Sequence, residues 1–516
     1  MSRGMKVAPV IIGALLLLAA PASGASKNVR LVDNLPEAKY ATAINFLQYK
    51  DGSDVMLVTG RFGLKTYSLA DPAHPRLLDA ITAEDLRLPG DPPVNLDESK
   101  GPLSTFWQNE DMDVDRDRKL ALISRDPRSY LGSTSREPGE ADPNGATNIA
   151  GVYVVDAKNP ADLKLLSFEQ LPTGHTTTCI NNCRWLWTGG PAATTTQRAA
   201  PLNWTFGRPI IVTDLRDPRH PRGYPTAPVD LFRRDGATAY SHDVQVDDMG
   251  IAWVSGDGGT RGYWTDGRHF DPLEGKTRQA TPLDPVPYAG GGLPAAITND
   301  TTGGFEHNAW RPVGKNAPST DDRYRKGELL LATEEDFGPP EEGCSKQGMF
   351  SISSLAGSFN GEAWRSTPAN PFRLQTVGTW YPGGKEGSRP GPFTPDDYCS
   401  AHYFDVDGAV VSYAWYGEGT RFLDISDPAN PRQFAYWRPD EGVVWASYLH
   451  RGYVYTADHV RGVDVLKFEP GAASARADGT AVVAPPASAR HRAFLARLAW
   501  QLKADPATGG ICYLAI

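Results

Sequence analysis

Beyond residue 25 the chain has no apolar stretch long enough to cross a bilayer, which argues against a membrane-spanning helix in the mature protein. Basic residues are in the minority. The 52 Lys and Arg face 61 Asp and Glu, for a formal charge of −9, so there is no basic footprint for nucleic acid. No long amphipathic helical pattern appears before the C-terminus, which disfavours a helical fold. There is no Gly-x-Ser-x-Gly elbow and no HExxH, so neither of those hydrolytic machineries is present. Cysteine is sparse, at five residues, and histidine is limited to ten.

What is abundant is turn chemistry. Gly (52) and Pro (43) are spread through the 516 residues, and aromatics make up 10%. That suits an all-β protein whose length is reached by repetition within one closed unit. The clearest repeat spans residues 402–437. It reads as strand 402–406, an Asp407-Gly408 turn, strand 409–415, a Gly417-Glu418-Gly419 turn, strand 420–424, a proline-rich turn at 426–431 and strand 432–437. Four antiparallel strands in about 40 residues describe a propeller blade. The proline turn recurs as LADPAHPR (69–76), DAKNPADL (156–163), DLRDPRHPR (214–222) and TPANPFR (367–373). Proline cannot donate to a ladder, so it belongs between outer strands. Apolar strands such as VYVVD, IIVTD and FLDIS precede these turns.

This pattern resembles the LVIVD-repeat family of secreted β-propellers, over roughly residues 28–470. The resemblance implies an all-β propeller; counting the repeats gives seven four-stranded antiparallel blades, with six or eight as the alternatives. Their starts fall near Tyr40, Glu110, His175, His242, His307, His402 and Val443. The last blade shows three strands, so NVRLVD (28–33) is expected to supply the fourth and close the ring. Gly/Pro/Thr-rich segments at 126–148, 189–207, 256–300, 312–326 and 337–348 read as long insertions that build a lid or pocket wall. The tail, 471–516, reads as a linker followed by an amphipathic helix at 490–503 and the apolar GGICYLAI. It either docks on the propeller or contacts a partner.

Residues 1–25 read as a secretory signal peptide: Arg3 and Lys6, an apolar run at 7–20, then PASGA. The alternative is a membrane anchor. Export permits disulfides. Cys179 and Cys183 flank a tight turn and form a candidate local pair, with metal binding as the alternative. Cys344 and Cys399 are a second candidate pair, and Cys512 is left over.

Four histidines fall at one point of the repeat: GHTTTC (His175), SHDVQV (His242), EHNAWR (His307) and AHYFDV (His402), with Glu110 at the aligned position of a fifth segment. Residues that open the first strand of successive blades surround the channel mouth. Strand alternation would aim all four imidazoles the same way. Four neutral imidazoles are a ligand set for a transition metal, with copper or iron favoured. Glu110 would accept from an imidazole, join the ligands or act as general base, the catalytic candidate. Glu306 should point to the opposite face, whereas Glu334, Glu335 and Asp336 could reach the mouth. The plainer reading is that a strand-start histidine bonds neighbouring backbone and is inherited through duplication. His74, His220, His269, His450, His459 and His491 fall outside the register. The Asp-rich turns near Asp113 and Asp247 lack a full calcium-ligand series and read as hairpin turns.

In geometry the ring is similar to the carotenoid cleavage oxygenases, with four axial histidines on iron. It is similar too to the selenium-binding protein/methanethiol oxidase group, with channel histidines around copper. The likeness implies redox chemistry on a small organic molecule. Two functions are therefore expected: an exported metalloprotein, with oxidation of a small substrate as its reaction, or a non-catalytic extracellular binding propeller for a protein, peptide or glycan. In either case a monomer is expected.

Overall fold

The computed structural model describes residues 24–504, apart from 101–103, 107–109, 111, 131–148, most of 191–208, 232–239, 258, 289–304, 315–316, 336–347, 357, 360–361, 364–374 and 383–399. Seven antiparallel four-stranded blades form a ring; in six the strands follow one another as a meander, and the seventh takes its outer strand from the N-terminal part of the chain. Their innermost strands are Ala41–Gln48, Asp113–Asp115, Thr176–Ile180, Tyr240–Val246, Glu306–Trp310, Phe404–Asp407 and Val444–His450. They belong to blades one to seven in that order. The seven-bladed propeller expected from the repeats is what the chain forms.

The hydrophobic core is not central. One buried apolar cluster fills each of the seven junctions between neighbouring blades. Strand alternation explains this: the two faces of every sheet meet two neighbours, so both sets of alternate side chains are apolar, as in Asp54–Gly60, which is buried throughout. The axis is left to the strand edges and to polar residues.

The ring is closed by the N-terminus, as the missing fourth strand of the last blade implied. Val29–Leu35 pairs antiparallel with Gly462–Phe468. A further strand, Gly24–Lys27, adds itself to the outer edge of blade six by pairing with Arg432–Pro439. Asn28 steps between the two blades. It adopts a left-handed φ of 60°, which Asn tolerates better than most residues, and its Nδ2 donates to the Phe434 carbonyl at 2.7 Å.

Three sequence expectations need correction. Residues 256–300 are not an irregular insertion throughout. They include the third strand of blade four (Gly259–Trp264), an extra hairpin (Arg268–Asp271 with Lys276–Gln279) and the fourth strand (Val286–Pro287). Short strands rich in Gly and charge hide their period of two. The segment 312–326 carries a helical turn, Asp322–Arg325, capped by Asp321. The segment after Gly471 is not simply a linker, because a helix spans Pro470–Ala477 with Pro at its first turn. The Asp-rich turns are hairpins. Asp115 Oδ1 accepts from the Asp117 and Arg118 amides, and Asp247 Oδ1 from those of Met249 and Ile251. Cys179 and Cys183 are disulfide-bonded. Cys344, Cys399 and Cys512 lie outside the described residues, as does nearly all of the leader-like segment.

Connectivity sorts the two faces. Turns between first and second strands, and the proline turns between third and fourth, lie at one end of the ring. The connections from second to third strand and from one blade to the next lie at the other. The long segments 83–112, 126–149, 190–210, 288–305, 335–349 and 381–403 all attach at this second end, which is also where the innermost strands begin.

Candidate metal centre

The innermost strands do not aim the histidines by simple alternation. In four blades the pairing of first and second strand slips by one residue. The slips fall between Ala41 and Ala43, Ser241 and Asp243, Glu306 and Asn308, and Val444 and Ala446. The residue released by each bulge is Thr42, His242, His307 or Trp445. A bulged residue leaves the ladder and its side chain is re-aimed, and here the bulges occur where the strands converge on the axis. His175 and His402 sit at the same point of their blades, their amides donating to Gly189 and Ala414 carbonyls.

All four histidines and Glu110 are fully buried and converge. Glu110 Oε2 lies 3.1 Å from His175 Nε2, 3.3 Å from His242 Nε2 and 3.6 Å from His307 Nε2; Oε1 lies 3.7 Å from His402 Nε2. Adjacent rings follow the blades round, with centroids 4.9 Å apart for His175–His242, 4.4 Å for His242–His307 and 4.0 Å for His307–His402. Each of two overlapping sets, Glu110/His175/His242 and Glu110/His307/His402, has ligand atoms close enough to one another to hold an ion.

The far side of each ring decides its tautomer. His242 Nδ1 meets the His307 carbonyl at 3.0 Å and His402 Nδ1 meets the Trp445 carbonyl at 2.5 Å. A carbonyl only accepts, so both Nδ1 atoms carry hydrogen and the Nε2 lone pairs face the axis. His175 Nδ1 meets Asp126 Oδ2 at 2.8 Å, and Asp126 is held in turn by Arg128.

Charge divides the ring unevenly. Burial disfavours the His175 imidazolium, but the Glu110 and Asp126 carboxylates outweigh it and hold its pKa up to about 9. His242 has no such pair, and burial brings it down to about 4. Burial and the neighbouring His402 and His242 keep His307 well below the usual imidazole range. Burial opposes ionisation of Glu110, yet His175 above all holds its carboxyl well below the ordinary range. One layer along the axis, burial and the Glu110 charge push Asp243 up to about 7.

Sequence reasoning missed several participants. Trp445 completes the ring in blade seven, 4.8 Å from His402, and stacks on His459 at 4.5 Å. His459 lies in the last blade outside the ring register, directly after the strand Tyr453–Asp458. It is buried, and burial and the Arg61 guanidinium hold it well below the usual imidazole range. No spacing signal marks it. Tyr416 lies 4.9 Å from His402 and its hydroxyl donates to Glu335, so Glu335 does reach the neighbourhood of the ring. Glu306 is buried and faces Glu334 across the ladder; Asp336 lies outside the described residues. The other excluded histidines stay away from the ring. His74 and His220 pair with Asp33 and Asp217 at the surface, His269 stacks on Trp264, and His450 bonds Asp54 at the opposite face.

The tail docks. The C-terminal helix Ala489–Ala504 places Phe494 and Leu495 against Tyr416, Val443 and Trp445, the aromatic residues that flank His402. Ser488 caps it by accepting from the His491 amide and donates to Asp440. Truncating the chain after Ala487 should therefore uncover Trp445. Tryptophan emission should shift to the red and become more quenchable by acrylamide, while the far-UV β signal persists. Unchanged quenching would show that the helix does not shield this aromatic cluster.

Fold and site together define a seven-bladed β-propeller with a buried axial histidine–glutamate cluster. Among solved structures the chain is similar to U3-55K, at 8% identity and a TM-score of 0.46 over 85% of this chain and 97% of that one. It is similar to the Swd1 β-propeller domain of Myceliophthora thermophila, at 8% identity and 0.42 over 86% and 99%. It is similar too to the periplasmic gluconolactonase of Pseudomonas aeruginosa, at 11% identity and 0.37 over 73% and 80%. No family model matches the sequence, and no curated protein does.

Proposed function

We propose that this protein is an exported metalloprotein whose propeller axis holds one transition-metal ion, copper or iron, between His175, His242, His307 and His402 with Glu110 at their centre. The observation that carries this reading is a set of buried nitrogens without partners. Neither nitrogen of His307, and not Nε2 of His402, has a hydrogen-bond partner among the described residues. Leaving a buried polar atom unsatisfied costs about 1–3 kcal/mol, and an ion on the axis would remove that cost at the nitrogens that face it. The separations agree. Ligands bound at about 2.0–2.2 Å stand about 3–4 Å apart, the range that the Glu110 contacts cover.

Each residue then has a role. Backbone carbonyls and Asp126 fix the ring orientations from behind, as second-shell partners do. The imidazoles supply neutral donors suited to copper and iron. Glu110 compensates positive charge and is the residue placed to take a proton from a bound substrate. Such an ion, when bound, supplies one-electron chemistry, and oxidation of a small organic molecule is the reaction class we assign. The leader-like N-terminus and the Cys179–Cys183 bridge support an extracytoplasmic location, and the proline turns support membership of the LVIVD-repeat propellers.

Elemental analysis of untagged protein, before and after loading with copper, iron and zinc, tests the reading. About one copper or iron per chain is expected, lost in His307→Ala and His402→Ala variants that keep the native circular dichroism. If no loading gives a stoichiometric ion, the metal reading fails and the alternative stands: a non-catalytic propeller that binds an extracellular protein, peptide or glycan.

A further inference from the structure

At the end of the ring opposite the long connections, the axis opens into a funnel of about 1400 Å³ to which all seven blades contribute. Its lining is unbalanced in charge, with nine aspartates against three arginines and no lysine or glutamate. Asp117, Asp248, Asp266 and Asp407 stand exposed at the rim, beside the exposed Arg116, Arg184 and Arg451. Deeper, Asp113 and Asp405 are anchored by the Cys179 and Leu449 amides, at 2.7 and 2.8 Å.

The floor of the funnel is thin. Tyr403 lines it, is itself buried, and packs edge-on against His307 with centroids 4.6 Å apart. Its hydroxyl lies 3.4 Å from Asp243 Oδ1, and Gln245, another lining residue, donates to Asp243 Oδ2 at 2.9 Å. Directly behind Tyr403 stands His307, fully buried, with no hydrogen bond on either nitrogen among the described residues and only the 3.6 Å contact of its Nε2 with Glu110. One aromatic side chain thus separates an acidic vestibule from the imidazole most in need of an ion. On the other side of the ring the docked helix and the Tyr416–Trp445 cluster lie over His402.

We propose that the acidic funnel is a cation-collecting vestibule through which the ion reaches the histidine ring, with Tyr403 as the gate between them. The inference rests on the metal reading above and adds the side of access and the residue that controls it. A mouth with an excess of negative charge and low-dielectric walls concentrates cations and speeds their association, an effect that salt suppresses. Passage to the ring requires Tyr403 to move aside, and its hydrogen bond to Asp243 holds it in place.

Stopped-flow quenching of tryptophan by copper(II) measures uptake, and EDTA measures extraction from the loaded protein. In the wild type, uptake should slow steeply with ionic strength. Charge reversal at the exposed rim (Asp117→Lys with Asp248→Lys and Asp407→Lys) should slow uptake tenfold or more at low salt and abolish its salt dependence, with about one ion per chain still bound at equilibrium. Tyr403→Ala should speed both uptake and extraction at least tenfold, whereas Tyr403→Phe, which keeps the ring, should change them far less. Full stoichiometry with rates unaltered by the rim variant and by Tyr403→Ala would overturn the route while sparing the metal centre. A wild type that binds no ion would overturn both.

Discussion

Glu110→Gln is expected to lose high-affinity metal binding and to flatten the pH dependence of stability of the metal-free protein. The two effects have one origin. Glu110 lies within 3.7 Å of the Nε2 atoms of all four histidines, so its charge offsets that of any cation placed among them. In the metal-free protein the cation that acts most on Glu110 is the His175 imidazolium, whose pKa is held up to about 9. The unfolded value is near 6.5. A group whose folded pKa is raised contributes stability that is complete below the unfolded value and is lost as pH rises through the folded one. Here the window runs from about pH 6.5 to 9, and the full contribution is about 3 kcal/mol. Urea unfolding of the metal-free wild type should therefore show stability from this group falling between pH 6.5 and 9. In Glu110→Gln, only what Asp126 sustains should remain. The same proton must leave before His175 can donate, so one proton should be released per ion bound near neutral pH. Identical pH profiles for the two proteins would show that His175 is not charged by Glu110.

Deleting residues 24–35 should be more damaging still. The strand Val29–Leu35 is the outermost strand of blade seven. Val29 and Leu35 are buried, and Val29 joins the cluster of Phe434, Trp437 and Leu466 between blades six and seven. Burial of the two side chains is worth roughly 1.5–3 kcal/mol each, and each ladder hydrogen bond adds about 1 kcal/mol. The loss approaches the 5–15 kcal/mol that separates folded from unfolded domains in general. It also bares the Gly462–Phe468 edge for pairing with another chain. The truncated protein should be recovered mainly as aggregate, and any soluble fraction should melt at least about ten degrees lower. The milder Val29→Asp should remain soluble with a reduced midpoint. A soluble truncation with an unchanged midpoint would mean that closure is carried by the inter-blade clusters alone.

The propeller was legible because its signals are local. Asp407-Gly408 and the Ser426–Pro431 type of turn act within a few residues, and alternation of two identifies each long strand. Where strands are short and punctuated by glycine, as at Gly259–Trp264 and Val286–Pro287, the period is too brief to register and an ordered stretch reads as an insertion. The histidines were legible for a different reason: duplication of a blade repeats an axial position at a constant point, so His175, His242, His307, His402 and Glu110 share one alignment. How they are aimed was not legible. A bulge depends on the register between two strands, as at His242 between Ser241 and Asp243, and register is a property of the pair.

From the chain alone came the repeat, the number of blades, the closing strand, the Cys179–Cys183 bridge and the five residues of the axial cluster, since each is written in spacing or in local turn chemistry. Tertiary structure decided the rest. It brought His459 and Trp445 together in a stack, placed Tyr403 between the funnel and His307, laid Phe494 and Leu495 on the aromatic cluster, and raised the pKa of His175. All of these arise where blades distant in sequence converge on one axis. There, burial and through-space charge set the chemistry, and neither is carried by the order of residues along a strand.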